Sequence, residues 1–434
     1  MTGSWRQSRP ALIVALISSV LAFQLGVTMV TPVLDRIRNG LDVSASAVGA
    51  SQTLFFLAGG LSCLISVRLS DRFGRKPLLL SIVVASTIGA FLIAFAPSVW
   101  TLLAGRTLQG CASAVFPLVY LLLREAVPAK SFGPAVGIVS AFGGGLFGVD
   151  GLIGGALGDR LGFQAVFVAL AVFGVVAVVA CALIVPLMRP APDIVARSGR
   201  RSAVADLRLL QGRSAWPFLL STLCGIAGAF AVMAYLISLL AQDAVRGFGL
   251  DSTSTALVFL VPPGLIALVA APIAGRLAPR FGWSRILRFG LVGSTAALAV
   301  AALFTSQLWI VFAATCLLGM SFNGTVLPMI NGLSVLLTPP QSPGLLPALN
   351  GVCVGVGASL GVALVSPLAA SGSPAGYSAA FWVCCGLVVV ALCAAAAIRL
   401  PDWVITSRDS PAQHVERRRL LQSRTSRLGR ISGN

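Results

Sequence analysis

Two charged residues of opposite sign, Arg106 and Asp150, lie inside long apolar segments of the sequence. In a membrane, a charge at such a position costs about 3 kcal/mol on insertion scales and more in simulations, so it needs a partner or a function. If these segments cross the bilayer, both residues lie seven positions, roughly 10 Å, below the same membrane boundary. We expect an Arg106/Asp150 pair, or at least a common electrostatic environment, in which Asp150 carries protons. A permanent structural pair and the absence of any contact are the alternatives.

The composition of the chain requires such a membrane. Of its 434 residues, 57% are hydrophobic and 10% are charged, and the mean hydropathy is +0.94. Soluble proteins carry about a quarter charged residues, so a water-soluble enzyme is excluded. The nine cysteines lie in apolar segments without metal-ligand spacing, and the single histidine, His414, lies in the tail. We expect no metal, cofactor or disulfide. A membrane enzyme or a non-transporting receptor is an alternative that this inventory disfavours.

Apolar blocks of about 20 residues, the length that crosses a ~30 Å hydrocarbon core as a helix, recur twelve times. These spans 1 to 12 lie near 11–34, 47–68, 77–97, 99–122, 133–157, 164–187, 215–241, 254–275, 286–306, 307–330, 345–368 and 378–398. The pattern predicts an all-α integral membrane protein with twelve transmembrane helices in two parallel-repeat six-helix bundles. We predict an N-terminal bundle (1–187), a basic cytoplasmic linker (188–214), a C-terminal bundle (215–398) and a basic cytoplasmic tail (399–434).

The basic residues are distributed unequally between the two sides of these spans. Of the 31 Lys and Arg residues, 26 lie on the side of the N-terminus, four lie on the other side, and Arg106 lies inside a span. Because basic loops stay in the cytoplasm, both termini are expected there, with the protein in a bacterial plasma membrane. The net charge of +18 is then a topology signal, worth about 1 kcal/mol per residue near anionic lipid, and no nucleic-acid partner is expected.

The two halves of the chain resemble each other. Residues 69–74 match residues 277–282 at an offset of 208, and Trp100 matches Trp309 at an offset of 209. Residues 162–167 match residues 376–381 at an offset of 214. Parallel duplicated halves place a substrate site between them near the membrane midplane and permit rocking about it. The repeat therefore predicts a transporter.

The loop between spans 2 and 3 reads Asp71-Arg72-Phe73-Gly74-Arg75-Lys76-Pro77, and a weaker copy follows span 8. It resembles the signature loop of the major facilitator superfamily. Val67 replaces the family's first glycine, and Pro279 replaces the acid in the second copy. The resemblance implies a cytoplasmic latch that breaks on conformational change, formed by Asp71, Arg72, Gly74, Arg75, Lys76 and Arg280. The alternative is that the basic residues only fix topology.

Spans 4 and 5 carry further signatures. Arg106-x-x-Gln109-Gly110-x-Ala112-Ser113-Ala114 resembles the second signature of the superfamily. The glycine-rich stretch from Gly143 to Gly155 resembles the fifth-span motif of the drug-exporting antiporter branch, although Asp150-Gly151 stands where the strict pattern has Gly-Pro. Such glycines let helices approach closely. This resemblance implies proton antiport and drug efflux.

Several polar residues within the spans are candidates for lining a substrate cavity, although each is as well suited to a helix–helix hydrogen bond. These are Gln24, Thr28, Thr31, Gln109, Asn323 and Asn350. The chain has no P-loop, so an ion gradient is expected to supply the energy. We predict a monomeric secondary transporter for proton-coupled efflux of small amphipathic or cationic compounds. A carrier of a specific metabolite, such as a sugar or amino-acid derivative, is the alternative.

Overall fold

The computed structural model describes residues 9–30, 33, 36–37, 40–43, 45–144, 148–186, 215–243, 245, 247–250, 252–338, 345–370 and 374–398. The predicted linker and tail, 188–214 and 399–434, lie outside these residues. In the N-terminal half the helices are α1 Arg9–Thr28, α2 Ala45–Phe73, α3 Arg75–Ala94, α4 Val99–Gly110, α5 Val115–Ala126, α6 Ala129–Gly144, α7 Val149–Leu161 and α8 Phe163–Ile184. They form spans 1 to 6, with α4 and α5 in span 4 and α6 and α7 in span 5.

The regular secondary structure of the C-terminal half is also entirely helical in the described residues. Its helices are α9 Ala215–Ala231, α10 Ile237–Gln242, α11 Ser252–Thr255, α12 Val261–Phe281, α13 Trp283–Leu303, α14 Leu308–Leu318, α15 Leu327–Leu336, α16 Leu345–Ala370 and α17 Pro374–Ala397. Spans 7, 8 and 10 each consist of two of these helices in series, so the described elements complete the twelve spans. We call the side of the membrane where α1 begins the N-side, and the opposite side the far side.

Hydropathy explains why these segments are helices. Among the described residues, nine helical stretches are long and apolar enough to cross a membrane, and shorter apolar helices at Leu54–Ser66, Ser131–Gly143 and Ala215–Ala231 lie in spans 2, 5 and 7. In hydrocarbon every backbone N–H and C=O must be bonded within the chain, which an α-helix achieves by itself. The fold expected from the sequence is thus observed in the described residues.

Three pairs of consecutive spans are joined by a single glycine. Gly74, Gly162 and Gly282 have φ of +92°, +84° and +98°, and each lies between the last residue of one helix and the first of the next. Only glycine adopts this backbone region without a steric cost. The Arg-Phe-Gly sequence of both signature copies therefore encodes a one-residue turn, and Arg160-Leu161-Gly162 repeats it on the far side.

Basic side chains from the N-side cap neighbouring helix ends. Lys76, near the start of α3, donates to the carbonyl of Ala182 in the last turn of α8 (2.7 Å). Arg288, near the start of α13, donates to the carbonyls of Ala395 (3.1 Å) and Ala396 in the last turn of α17. The last carbonyls of a helix lack intrahelical partners and carry a partial negative charge. Equivalent helix ends in the two halves are stabilised in the same way.

Several spans change helix type along their length. Span 4 has a 3-10 turn at Cys111–Ala114, and spans 7, 8 and 10 have π segments at Val232–Leu236, Ala256–Leu260 and Gly319–Val326. Span 5, predicted as one helix over 133–157, is instead two helices, α6 and α7. The correction has a physical cause, because Gly148 has φ +115° and ψ −49°, which no continuous helix contains. Such irregularities concentrate at functional sites.

Candidate functional site

Asp150 lies at the break in span 5, in the first turn of α7, and only 2% of it is exposed. Its Oδ1 accepts hydrogen bonds from the backbone N–H of Gly148 (3.0 Å) and of Gly151 (2.9 Å). The hydroxyl of Thr28, at the end of α1, donates to Oδ2. A helix N-terminus carries a partial positive charge and free N–H groups, so it stabilises a carboxylate. The helix break therefore creates the place where this acid is held.

Arg106 contacts the C-terminal end of a helix, whereas Asp150 is held at an N-terminal end. It is 1% exposed, and its Nη1 donates to the carbonyl of Gly26 (3.0 Å) and to Oε1 of Gln109 (2.9 Å). Its guanidinium carbon also lies 4.2 Å from the centre of the Phe55 ring, a cation–π contact. Gly26 belongs to the last turn of α1, where carbonyl groups favour a cation. The buried arginine therefore has a carbonyl, an amide oxygen and an aromatic ring as partners.

Arg106 is absent from the contacts of Asp150, which are Thr28, Gly148 and Gly151 in the described structure. The direct pair is therefore not formed in this conformation. Arg106 bonds Gly26 and Asp150 bonds Thr28, two residues further along α1, so the two charges lie at a similar level along this helix. They share the end of α1 as a common environment, and each is compensated by a helix terminus.

The break that holds Asp150 also touches the other half of the protein. A Cβ placed on Gly148 would lie 2.6 Å from the carbonyl carbon of Leu260, the last residue of the π segment in span 8. The irregular points of spans 5 and 8 are therefore in backbone contact. Gly148 also donates its N–H to the Asp150 carboxylate. A change in that hydrogen bond can therefore shift the contact between Gly148 and Leu260.

Gly148→Ala is expected to lower both stability and transport. The new side chain adds a positive-φ backbone cost of about 1–3 kcal/mol to the overlap with Leu260. Thermal unfolding in detergent and uptake in liposomes measure the effect. Gly282→Ala is the matched control, because its φ is +98° but a Cβ there meets nothing within 4 Å. Equal losses in both variants would show that the Leu260 contact contributes nothing.

The glycines of α7 place that helix against the end of span 1. A Cβ on Gly154 would lie 2.3 Å from the carbonyl oxygen of Met29, and one on Gly158 would lie 2.3 Å from a methyl group of Val33. The prediction that the glycine-rich stretch allows close helix approach is thus confirmed. This packing holds α7 beside Thr28, the residue that bonds Asp150.

A polar cluster joins the two halves on the N-side. The Asn331 side-chain amide, in span 10, donates to the Tyr120 hydroxyl (2.9 Å) in span 4 and to the Ser140 hydroxyl (3.3 Å) in span 5. Tyr120 and Ser140 also share a hydrogen bond of 2.9 Å. One turn from Tyr120, Arg124 donates to the carbonyl of Val335 in span 10 (2.7 Å).

Close backbone contacts between the halves accompany this cluster on the N-side. A Cβ on Gly133 in span 5 would lie 2.3 Å from the carbonyl oxygen of Gly275 in span 8. A Cβ on Gly351 in span 11 would lie 2.7 Å from Sγ of Cys63 in span 2. All of these contacts lie in the N-side parts of their helices, so the structure has the halves closed together on the N-side.

Tyr120→Phe is expected to weaken N-side closure. Loss of a buried hydroxyl that bonds across the halves costs about 0.5–1.5 kcal/mol, which raises the open population about two- to tenfold. The rate at which N-ethylmaleimide modifies Cys63, in a variant that retains only this cysteine, reports the opening. Tyr377→Phe is the control, because its hydroxyl bonds Asp243 within one half (2.9 Å). If Tyr120→Phe leaves the rate of Cys63 modification unchanged, the polar cluster does not stabilise the closed N-side.

The residues of the predicted latch have different surroundings. Arg75 is buried and forms an ion pair with Glu125 at the end of α5 (2.6 Å). Arg72 is exposed with its guanidinium over the Phe73 ring, and Lys76 caps α8. Gly74 forms the turn. Arg280 is exposed and makes no ion pair with another described residue, and the Asp71 side chain lies outside what the structure describes.

Glu125 and the Tyr120 cluster are absent from the residues predicted from the sequence. Glu125 could have been found as the one acid beside a basic residue at the N-side end of span 4. Tyr120 and Asn331 are 211 residues apart and carry no local pattern. In the part of the chain that the structure covers, no three His, Cys, Asp or Glu side chains are grouped as metal ligands would be.

The six cavity candidates separate into two groups. Thr28 holds Asp150, Gln109 orients Arg106, and Asn350 accepts a hydrogen bond from Thr222 of span 7 (3.1 Å). Thr31 lies outside the described residues. Gln24 and Asn323 are each 7% exposed, and neither side chain bonds any residue of the described structure. Of the five described candidates, these two are the ones whose side chains have no hydrogen-bond partner among the described residues.

Two helical halves with charges held at broken helices inside the membrane define a secondary transporter. The family model for the Major Facilitator Superfamily matches residues 16–362 and 222–428. The chain belongs to the major facilitator superfamily.

Relatives of known name support this membership. The chain is 31% identical to the uridine/deoxyuridine transporter of Lactococcus lactis subsp. cremoris (strain MG1363), over 88% of this chain and 92% of that protein. It is 29% identical to the multidrug resistance protein MdtG of Proteus mirabilis (strain HI4320), over 68% and 72%. The human organic anion transporter MFSD10 has the same fold, with a TM-score of 0.70 at 15% identity, over 91% of this chain and all of that one.

Proposed function

We propose that the protein is a proton-coupled secondary transporter of a neutral, planar heterocyclic solute of the nucleoside type, working by alternating access. The observation that supports this proposal most directly is the position of Asp150. This acid is held at a helix break in span 5 by Thr28 of span 1, and its neighbour Gly148 touches span 8 of the other half. A proton bound there acts on the contact between the halves.

The coupling step follows from the hydrogen bonds of Asp150. Bonds from N–H groups to a charged carboxylate are roughly twice as strong as bonds to a neutral group. Protonation therefore weakens the attachment of Gly148 and Gly151 to this side chain. The first turn of α7 is then freer to move against Leu260, which favours rearrangement of the halves. Deprotonation restores the tight arrangement.

The small number of acidic residues inside the spans favours a neutral solute of the nucleoside class over a cationic one. A carboxylate that faces the cavity would favour a cationic solute, and Asp150 is the one described acid well inside a span. It is 2% exposed and already accepts three hydrogen bonds, so it offers no free counter-charge in this conformation. The relative named as a uridine/deoxyuridine transporter, which aligns over 88% of this chain, points to the same neutral class.

Efflux of amphipathic drugs is the second candidate. The observation that favours it is the similarity to multidrug resistance proteins, of which MdtG aligns over 68% of this chain at 29% identity. The glycine-rich fifth span is shared by both proposals. The two differ in whether the solute must be planar and neutral.

Purified protein in liposomes distinguishes these candidates. Radiolabelled uridine, a labelled sugar and a fluorescent amphipathic cation are offered separately under an imposed pH gradient of either sign. We expect gradient-dependent uridine flux that unlabelled uridine inhibits and the cation does not. Flux of the cation alone would favour drug efflux, and no flux of uridine would overturn the nucleoside assignment.

The same proposal places the protein in the plasma membrane as a monomer with both termini in the cytoplasm. The excess of basic residues on the N-side supports this orientation. In this orientation the closed N-side is the cytoplasmic side of the protein. Arg124, whose bond to the Val335 carbonyl crosses to the other half, stabilises this closed state, and the Arg75–Glu125 pair joins the signature loop to the same helix end. The proposed bundles are 1–187 and 215–398.

A further inference from the structure

Arg106 is a buried charge that the proposed coupling step does not use. Its guanidinium carbon lies 4.2 Å from the centre of the Phe55 ring, and a cation over an aromatic face is attracted by the ring electrons. Phe55 is 1% exposed. A Cβ on Gly110 of span 4 would overlap the Phe55 carbonyl oxygen, so the backbone of this residue is packed tightly against span 4. Arg106 therefore holds the face of a ring that has little room to move away.

Three further rings continue from Phe55 towards the N-side. Phe23 of α1 stacks on Phe55, with ring centres 5.5 Å apart and 23° between the planes. Phe116 of α5 meets Phe23 edge-on, at 5.5 Å and 84°. Tyr120, one turn further along α5, stacks on Phe116 at 6.5 Å and 25°. Aromatic pairs prefer stacked and edge-on arrangements at these separations. We call this continuous series of Phe55, Phe23, Phe116 and Tyr120 the ring chain.

The ring chain ends at the polar cluster that joins the two halves. The Tyr120 hydroxyl accepts a hydrogen bond from the Asn331 amide of span 10 (2.9 Å) and shares another with Ser140 (2.9 Å). Tyr120 lies roughly 20 Å further along span 4 than Arg106 at the rise of a helix. The ring chain thus connects a buried charge deep in the membrane with a hydrogen bond between the halves.

The middle of the ring chain is closely packed. A Cβ on Gly143 of span 5 would lie 3.1 Å from the Phe116 ring and 3.3 Å from a methyl group of Val20 in span 1. Close-packed side chains have low compressibility, so they pass a displacement on to their neighbours. A movement of Phe23 is therefore expected to move Phe116, and with it the stacked ring of Tyr120.

The ring chain also begins beside the groups that hold Asp150. The last two turns of α1 contain Phe23, Gly26 and Thr28. The Gly26 carbonyl accepts a hydrogen bond from Arg106, and the Thr28 hydroxyl donates to Asp150. A rearrangement at Asp150 that shifts this end of α1 therefore acts on the ring chain twice, through the ring in α1 itself and through the arginine.

We propose that Arg106 is a positioning residue for closure of the N-side and acts through the ring chain. Its charge keeps Phe55 and the following rings aligned, and the aligned rings hold Tyr120 against Asn331. A shift at the end of α1 disturbs the alignment and favours opening. This inference rests on the alternating access of the proposed function, but on neither the solute nor the proton that the proposal names.

The rate at which N-ethylmaleimide modifies Cys63, in the variant that retains only this cysteine, measures opening of the N-side. We expect Arg106→Gln to raise this rate about two- to tenfold, because it removes the cation from the Phe55 face. Phe23→Leu, which removes a ring from the middle of the chain, should raise the rate by about the same factor. Added to Phe23→Leu, Arg106→Gln should cause no further increase, because both substitutions interrupt one connection.

Two control variants show whether the rings act as rings. Phe23→Tyr keeps the stacking surface and should retain the wild-type rate. Phe312→Leu removes a half-buried ring on the far side, where it meets Trp309 edge-on (6.0 Å), and should also leave the rate unchanged. Wild-type size-exclusion profiles and melting temperatures show that the variants are folded.

The outcomes separate this inference from the proposed function. If Arg106→Gln raises the rate by the same factor with and without Phe23, the arginine does not act through the rings and the inference is wrong. An unchanged or lower rate in Arg106→Gln would also overturn it. Uridine flux by the wild type is measured separately, so the proposed function survives either result. If Cys63 stays unmodified in every variant, Tyr120→Phe included, the N-side does not open, and alternating access fails together with this inference.

Discussion

Asp150→Asn is expected to abolish proton-driven accumulation of the solute while preserving exchange of solute across the membrane. Asparagine has nearly the shape of aspartate, and its Oδ1 can still accept the N–H groups of Gly148 and Gly151. Its amide can donate to the Thr28 hydroxyl oxygen, whose own proton is free to bond the Gln24 carbonyl. The helix break is therefore kept, but the side chain no longer takes up a proton.

The size of this effect follows from the energy of a proton gradient. With one proton per solute, one pH unit supports about tenfold accumulation, or about 1.4 kcal/mol. Concentrative uptake in liposomes should fall from that ratio to unity in Asp150→Asn. Counterflow, in which labelled solute exchanges with unlabelled solute without a gradient, should continue because it needs no net proton movement.

Asp159→Asn is the matched control for this prediction. It makes the same chemical change in the same helix, at an exposed position where Asp159 pairs with Arg36 (2.6 Å). An exposed pair of this kind contributes little to stability, so accumulation should be unchanged. If Asp150→Asn still concentrates the solute, Asp150 is a structural residue and the coupling proton binds elsewhere.

The sequence predicted the depth of the two embedded charges but not their partners. Depth follows from counting residues along apolar stretches, and Arg106 and Asp150 do reach the same turn of α1. Partners depend on where helices end and how they are rotated. Because span 5 breaks before Val149, the carboxylate finds N–H groups at a helix terminus rather than the guanidinium. A glycine-rich stretch indicates close packing and a possible break equally well.

Contacts between the two halves could not be predicted from the sequence. Gly74 and Gly282 are readable as turns because each directly follows Arg-Phe in the repeated loop. Gly351 and Cys63 carry no such signal, since each is one small residue among many in an apolar stretch. Their closeness depends on how two bundles dock, and docking is determined by the shapes of whole helix faces. The structure therefore supplies the pair needed to test alternating access.

A disulfide between Cys63 and a cysteine at position 351 is expected to stop transport reversibly. A Cβ built on Gly351 lies 3.2 Å from Cβ of Cys63 and 2.7 Å from its Sγ. Disulfides have Cβ–Cβ distances of about 3.5–4.5 Å, so a small shift suffices. The variant combines Gly351→Cys with replacement of the other eight cysteines. Oxidation should link the halves on the N-side, and a protease site inserted in 188–214 lets the link be seen on a gel.

The functional result follows from the need for two states. A transporter that cannot separate its halves on the N-side cannot release or load solute there, so flux should fall to the level of protein-free liposomes. Reduction of the disulfide should restore it. Gly355→Cys, one turn further along span 11, is the control, because its nearest atom in span 2 is the Phe56 carbonyl oxygen at 3.8 Å. Full transport by the cross-linked protein would show that the N-side contact does not open during the cycle.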